Sequence, residues 1–185
     1  MSLPSTKPGQ EENSEHTASA PKPSCQDVLG DATIAEPEPA AAGAVPIRTH
    51  LQINPAWVGA AVHVAEGVAS VRLMSRPEMV ADDRGLVHGG FTFGLADYAA
   101  MLAVNDPYVV LGAASTRFLA PVRLGQAMLA HAQVTQAQGK KRLVQVEVKV
   151  ETESGPQKVF EGEFTCFVLA QHVLGPTPSP TVAPQ

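Results

Sequence analysis

Two glycines, Gly89 and Gly90, stand at the head of an almost wholly apolar run that ends at Val104, and Asp97 is the one carboxylate inside it. Burying an ionised carboxylate without partners is costly, so an Asp on a helix with no polar face belongs at a subunit junction, a cleft or a reaction centre. The glycine entrance has its own chemistry. The first turn of a helix leaves N–H groups unsatisfied and carries a partial positive charge. With no side chain at Gly89 or Gly90, a ligand oxygen can approach that backbone closely. One element thus offers an oxygen-binding end and a base. The two are eight residues apart, which is about 12 Å along one helix, too far for a single carbonyl to touch both. Their joint use in catalysis requires two antiparallel helices from two copies of the chain, giving two equivalent sites. The competing uses are a hydrogen bond of Asp97 across a dimer interface and a tight helix entry at the glycines.

Strands must hold this helix. Ala60 to Ala65 and Val68 to Met74 are small and β-branched runs separated by Glu66-Gly67, the spacing of a hairpin. Before them, Asn54-Pro55-Ala56-Trp57 predicts a turn, with a short helical turn packing Trp57 on the core. Arg76-Pro77 ends the second strand, and the polar Asp82-Asp83-Arg84-Gly85 turn leads into His88 and the helix. The helix stops near Asn105-Asp106-Pro107, because proline disfavours helix in the residue before it. Beyond it the period changes to two. Val144, Val146, Val148 and Val150 alternate with Gln145, Glu147, Lys149 and Glu151, the pattern of an antiparallel strand with one buried face. Neighbouring strands run from about Gln126 to Gln136 and from about Gln157 to Gln171, and Tyr108 to Phe118 is expected to join them in a meander. The fold class is therefore α+β, an antiparallel sheet wrapped around one long central helix.

The chain has 185 residues and a net charge of -5. Residues 1–45 carry Lys7 and Lys22 against seven acids, so the whole excess lies there, and with their prolines they read as a disordered acidic tail. Residues 175–185 read as a second, proline-rich tail, leaving 46–174 as a formally neutral folded domain. That balance argues against nucleic acid as a main ligand. Cys25 and Cys166 are the only cysteines, with neither a disulfide framework nor metal-ligand spacing, so no metal and no cofactor are expected and a reducing compartment fits. The first 30 residues lack a secretory pattern, and no run approaches the ~20 apolar residues of a spanning helix. A soluble cytoplasmic protein without a membrane partner is the expectation.

Three motifs in order, Gly85-Leu86-Val87-His88-Gly89-Gly90, then Leu95-Ala96-Asp97-Tyr98-Ala99, then Arg117-Phe118-Leu119-Ala120-Pro121-Val122-Arg123-Leu124-Gly125, give the chain a family likeness. Over roughly Pro46 to Leu174 it resembles the hotdog-fold acyl-CoA thioesterase superfamily, in particular the phenylacetate-pathway type with its His-Gly-Gly start and mid-helix Asp. The resemblance implies that the Gly89 N–H polarises the thioester carbonyl and that Asp97 acts as general base or nucleophile. It gives Ser115 the task of holding the water, with Thr116 as alternate, while His88 itself reads as orienting the loop in place of transferring protons. Gly90, Asp82, Thr116, Arg117, Lys140 and Lys141 fall to substrate binding. An amide side chain, usually Asn, stands six residues before the motif His in that family. Here the residue is Asp82, and a second carboxylate near a developing oxyanion is repulsive. For the phosphates of coenzyme A the choices are the Lys140-Lys141-Arg142 cluster, which otherwise reads as a solvated hairpin tip, and Arg117 and Arg123 at a strand end. Phe91, Phe93 and Tyr98 are candidates for an aromatic acyl wall.

The implied activity is hydrolysis of an acyl-CoA thioester, with acyl-CoA and a second copy of the chain as partners in a homodimer or a dimer of dimers. The alternative is a non-catalytic acyl-CoA-binding hotdog protein, a sensor or carrier. Relatives that control transcription carry a DNA-binding helical segment, which the acidic, proline-broken residues 1–45 do not resemble. A hydratase of the same fold is disfavoured, because the position five beyond Asp97 is Leu102 rather than His and the helix holds no Glu.

Overall fold

The computed structural model describes residues 43–176. The two expected tails lie outside the described residues except at their inner ends, where the Val45 N–H donates to the Val64 carbonyl at 3.0 Å and the Gly175 N–H to that of His172 at 2.9 Å. In chain order the elements are α1 (Pro55–Val58), β1 (Ala60–Ala65), β2 (Val68–Met74), a 3-10 turn (Pro77–Met79), α2 (Gly89–Val104), β3 (Val109–Phe118), β4 (Ala127–Gln138), β5 (Lys141–Thr152) and β6 (Gly155–Val168). The strands form one sheet in the order β1-β2-β4-β5-β6-β3, every neighbouring pair antiparallel. This is the hotdog arrangement, a single antiparallel sheet with one long helix against its inner face.

One expectation is corrected. β4, β5 and β6 are a meander, but β3 does not precede β4 in the sheet; it pairs with β6 and forms the far edge. Because neighbours alternate in direction along that order, β2 and β3 run parallel to each other. Parallel strands need a crossover connection, which α2 supplies by crossing the sheet between them.

Packing follows from residue size. Leu95, Ala96, Ala99 and Leu102 of α2 are fully buried against an inner sheet face that includes Val71, Met128, Ala130, Val144, Val148, Phe160 and Phe164. The alanines let the helix axis lie close to the sheet, and the valines of β5 supply a branched, rigid bed. At its end the helix stops in a left-handed Asn105, φ 50°, whose N–H returns to the Met101 carbonyl at 2.9 Å. The Asn105 side chain also accepts from the Arg48 N–H and donates to the Pro46 carbonyl, tying the N-terminal segment over the helix. Trp57 departs from expectation. It remains 44% exposed and stacks on Phe91 at a centroid distance of 6.1 Å, because α1 is a single turn with no buried residue and lies on the outside of α2.

The two sheet edges differ. Both pair on one side only, but β1 has six residues and is irregular between Ala61 and His63, whereas β3 runs for 10 residues with its irregularity between Leu111 and Ala113. On its inner face Val109 is buried but Ala114 and Phe118 are exposed, so α2 covers only the start of this strand. Among the described residues no helix is long and apolar enough to cross a membrane.

Candidate active site

The chain reaches α2 through a clamp of backbone pairings. The Val87 N–H donates to the Val122 carbonyl and the His88 N–H to that of Met79, both at 2.9 Å, while Leu86 pairs with Arg123 and Val80 with Val87. His88 then caps the helix, its Nδ1 accepting from the Gly90 N–H at 2.9 Å. An accepting Nδ1 is unprotonated, so in the neutral ring the proton sits on Nε2 and the side chain orients the first turn. That bond satisfies Gly90. The Gly89 N–H has no acceptor among the hydrogen bonds of the described residues. Gly89 lines a cavity of about 380 Å³, together with residues that include Leu86, Thr92, Phe118, Pro121 and Val159. Neither glycine leaves space for a side chain: a Cβ at Gly89 would lie 2.9 Å from Phe118 Cε1, and one at Gly90 2.8 Å from His88 Nδ1.

Asp97 lies two turns further on. Its Oδ1 is buried with no hydrogen-bond partner among the described residues, and burial pushes the carboxyl up to about 6. The carboxylate is close enough to raise the fully buried Cys166 thiol, which burial first and the Asp97 charge second push up to about 12, leaving an inert thiol. One turn before Asp97, Phe93 packs on Phe164 with centroids 5.7 Å apart. Phe164 and Cys166 belong to β6, so Asp97 occupies the flank of α2 turned toward β6 and the free strand β3. A group that needs an ionised carboxylate, or a proton acceptor near neutrality, would find one here. Within one chain, however, Gly89 and Asp97 stay apart.

Ser115 and Thr116 point in opposite directions. Ser115 pairs with Glu163 and Arg117 with Glu161 on the outer sheet face, whereas Thr116 pairs with Gly162 between Phe160 and Phe164 on the helix side. The hydroxyl on the same side of the sheet as α2 is therefore that of Thr116, the alternate. A Cβ at Gly162 would lie 2.8 Å from Thr116 Cγ2, so the glycine makes room for the threonine. Arg117 is committed elsewhere, in an ion pair with Glu161 that continues through Lys158 to Glu147 and Lys149 across the outer face.

Asp82 is turned into its own loop. Its Oδ1 accepts from the Arg84 and Leu86 N–H groups, each at 3.0 Å, so the carboxylate holds the turn. Lys140 and Lys141 occupy the β4–β5 turn. Lys141 pairs with Phe167, which pairs with Val110 near the start of β3, while Gly89 touches Phe118 at its end. At about 3.3 Å per residue, some 26 Å of strand separates them. Of the expected aromatic wall, Phe91 is taken by Trp57 and Phe93 by Phe164. The aromatic residue that does line the cavity is Phe118, recoverable from sequence only by its place at the end of a strand beside the glycine entrance.

Residues 84–157 match the family described as the Thioesterase superfamily. Among solved structures, an uncharacterized protein of Pyrococcus horikoshii is 49% identical, covers 71% of this chain and 98% of its own, and superposes with a TM-score of 0.68. A mutant of the phenylacetic acid degradation protein PaaI of Thermus thermophilus is 30% identical over 60% of this chain and 95% of its own, with a TM-score of 0.54. The chain spans only part of the curated relatives it matches. It is 52% identical to a methylthioribose-1-phosphate isomerase of Aquifex aeolicus over 66% of this chain but 26% of that protein, and 26% identical to a transcription factor FapR of Caldanaerobacter subterraneus over 63% and 57% respectively. A match to a quarter of the isomerase does not carry the activity of the whole.

Proposed function

The chain belongs to the hotdog-fold thioesterase superfamily, and on that premise we propose that it hydrolyses an acyl-CoA thioester at a site shared by two copies. The Gly89 N–H donates to the developing oxyanion and Asp97 of the second copy activates the water or attacks the carbonyl. The observation that carries this reading is the buried, unpartnered Oδ1 of Asp97. A fold does not keep such an atom for stability, since an unsatisfied buried acceptor costs about 1–3 kcal/mol.

The free edge of β3 supports the second copy. Gly89 lies against Phe118 at one end of this strand, and Asp97 lies beside Cys166, which pairs with Leu111 near the other. A two-fold copy adding its β3 antiparallel along that edge, Phe118 level with the partner copy's Leu111, sets the glycine head of one helix level with the carboxylate of the other. Thr116 then borders the gap from the strand side.

Asp97→Asn tests the chemistry. Release of free thiol from a panel of acyl-CoA substrates is expected to fall about a hundred- to ten-thousandfold while the protein still elutes as a dimer. Unchanged turnover removes Asp97 from the mechanism. The likeness to a transcription factor favours a second reading, a ligand-binding regulator without turnover. Calorimetric binding of acyl-CoA by the wild-type protein with no product formed would select it.

A further inference from the structure

We propose that Arg84 and Arg123 hold the phosphates of a coenzyme A thioester whose carbonyl lies at Gly89, an inference that rests on the thioesterase reading above. The cavity at Gly89 does not end there. A second cavity of about 190 Å³, lined by Asp82, Arg84, Leu86, Pro121 and Arg123, shares Leu86 and Pro121 with it, so the two adjoin at those side chains and are read as one groove. Along that groove the chemistry changes in order: a backbone N–H without an acceptor, then the exposed side chain of Leu86 with Pro121, then two guanidinium groups. A coenzyme A thioester has the same sequence of parts, a carbonyl oxygen, an uncharged pantetheine arm and a cluster of phosphates. Gly89 lies five positions after Arg84, and a chain of that length spans at most about 17 Å, so the two ends of the groove lie no further apart along the backbone than that.

Both arginines are unspent. Among the described residues the ion pairs involve Arg117, Lys149 and Lys158, and neither the Arg84 nor the Arg123 guanidinium takes part in an ion pair or hydrogen bond. Their backbones are fixed. Arg123 pairs with Leu86, its carbonyl accepts from Ser75 Oγ at 3.0 Å, and its N–H donates to Gln126 Oε1 at 2.8 Å. Leu124 is tied to the Gly85 carbonyl at 2.9 Å, and the Arg84 N–H is held by Asp82. Asp82 is the one acid in the lining, held through its Oδ1 by two amides of its own loop, so two guanidinium groups against one carboxylate leave the lining with a net positive charge. Planar guanidinium groups on a rigid backbone match phosphate oxygens two at a time. Arg117, by contrast, is paired on the outer face, and Lys140 and Lys141 lie a strand's length from Gly89 of the same chain.

The test compares one acyl group carried on coenzyme A and on N-acetylcysteamine, which has no phosphates, using the full-length wild type and the Arg84→Gln/Arg123→Gln double variant. The wild type is expected to prefer the coenzyme A ester, and the double variant to lose at least about tenfold of that preference, through KM rather than kcat, with Lys at both positions restoring part of it. A calorimetric titration with free coenzyme A should show a parallel weakening. An unchanged preference and affinity, or an equal loss on both esters, overturns the assignment and leaves the thioesterase reading intact. If neither ester is hydrolysed, the thioesterase reading fails, and the titration still decides the groove: affinity lost in the double variant upholds it, and a wild type that does not bind coenzyme A overturns it.

Discussion

The second half of α2, from Leu95 to Ala103, is sealed against the sheet apart from Asp97, while the first turn is held by a single side-chain cap and faces a cavity. The packed half gives the helix its stability by burying apolar surface; on the proposed function, the open half gives a substrate access to backbone that small residues leave bare. Asp97 breaks the pattern by placing a carboxylate on the packed side, and Gly89 completes it by leaving the open side without a Cβ. Substitution at each should therefore separate function from stability in opposite ways. Apart from the Asp97→Asn loss of turnover given above, the largest effect is expected from Gly89→Ala. Its methyl group would meet the Phe118 ring at 2.9 Å and displace that cavity-lining ring. Because the reading above puts the oxyanion there, kcat/KM should fall at least about a hundredfold with little change in circular dichroism. Full turnover by this variant would move the thioester away from the open end.

Asp97→Asn sharpens the comparison from the packed side. The carboxyl titrates at about 6 in the folded chain against an ordinary value of 3.8, the shift caused by burial. Between those values the folded state holds more protons than the unfolded one, so stability falls as pH rises from about 4 through about 6 and is level above. Two pKa units correspond to about 3 kcal/mol. Denaturant titrations at fixed protein concentration should show the variant more stable than wild type by up to that amount at pH 8, and close to it at pH 4. The same titration predicts a wild-type rate that rises through about pH 6. Equal stability of the two proteins at pH 8 would mean that the carboxylate has a partner in solution, the second copy being the first suspect.

How far the sequence carries can be seen at neighbouring residues. The α2 boundaries, the β1–β2 hairpin and the alternating valines of β5 are local patterns, and all were legible. The place of β3 was not, because which strand lies beside another is a long-range choice that a period of two cannot express. Ser115 and Thr116 show the finer limit. Adjacent residues on a strand face opposite sides, and the irregularity between Leu111 and Ala113 shifts the register just before them, so a one-residue ambiguity exchanged the inner hydroxyl for the outer one. Asp82 was readable in principle: an Asp opening a turn that contains Gly85 at φ +79° is a residue whose side chain accepts from amides two to four places on. The groove to Arg84 and Arg123 was not readable, since it depends on two loops paired through a single bridge.

The smallest expected effect comes from a third glycine of the same helix. Gly94 lies between the open turn and Asp97, and a Cβ there would sit 3.9 Å from Val58 Cγ1, an ordinary contact with the turn of α1. Its backbone is helical and within the span of α2, so alanine adopts the conformation without strain and lowers the entropy of the unfolded chain. Gly94→Ala is expected to raise stability by about 0.5–1 kcal/mol, read as a higher denaturation midpoint at an unchanged slope, and to leave kcat/KM within about twofold. Gly89 and Gly94 are the same residue type on one helix, five positions apart, and only the first meets an obstacle. A loss of activity at Gly94 comparable with that at Gly89 would show that the site extends further along α2 than the first turn, and the division of the helix into an open and a packed half would have to be redrawn at Asp97 itself.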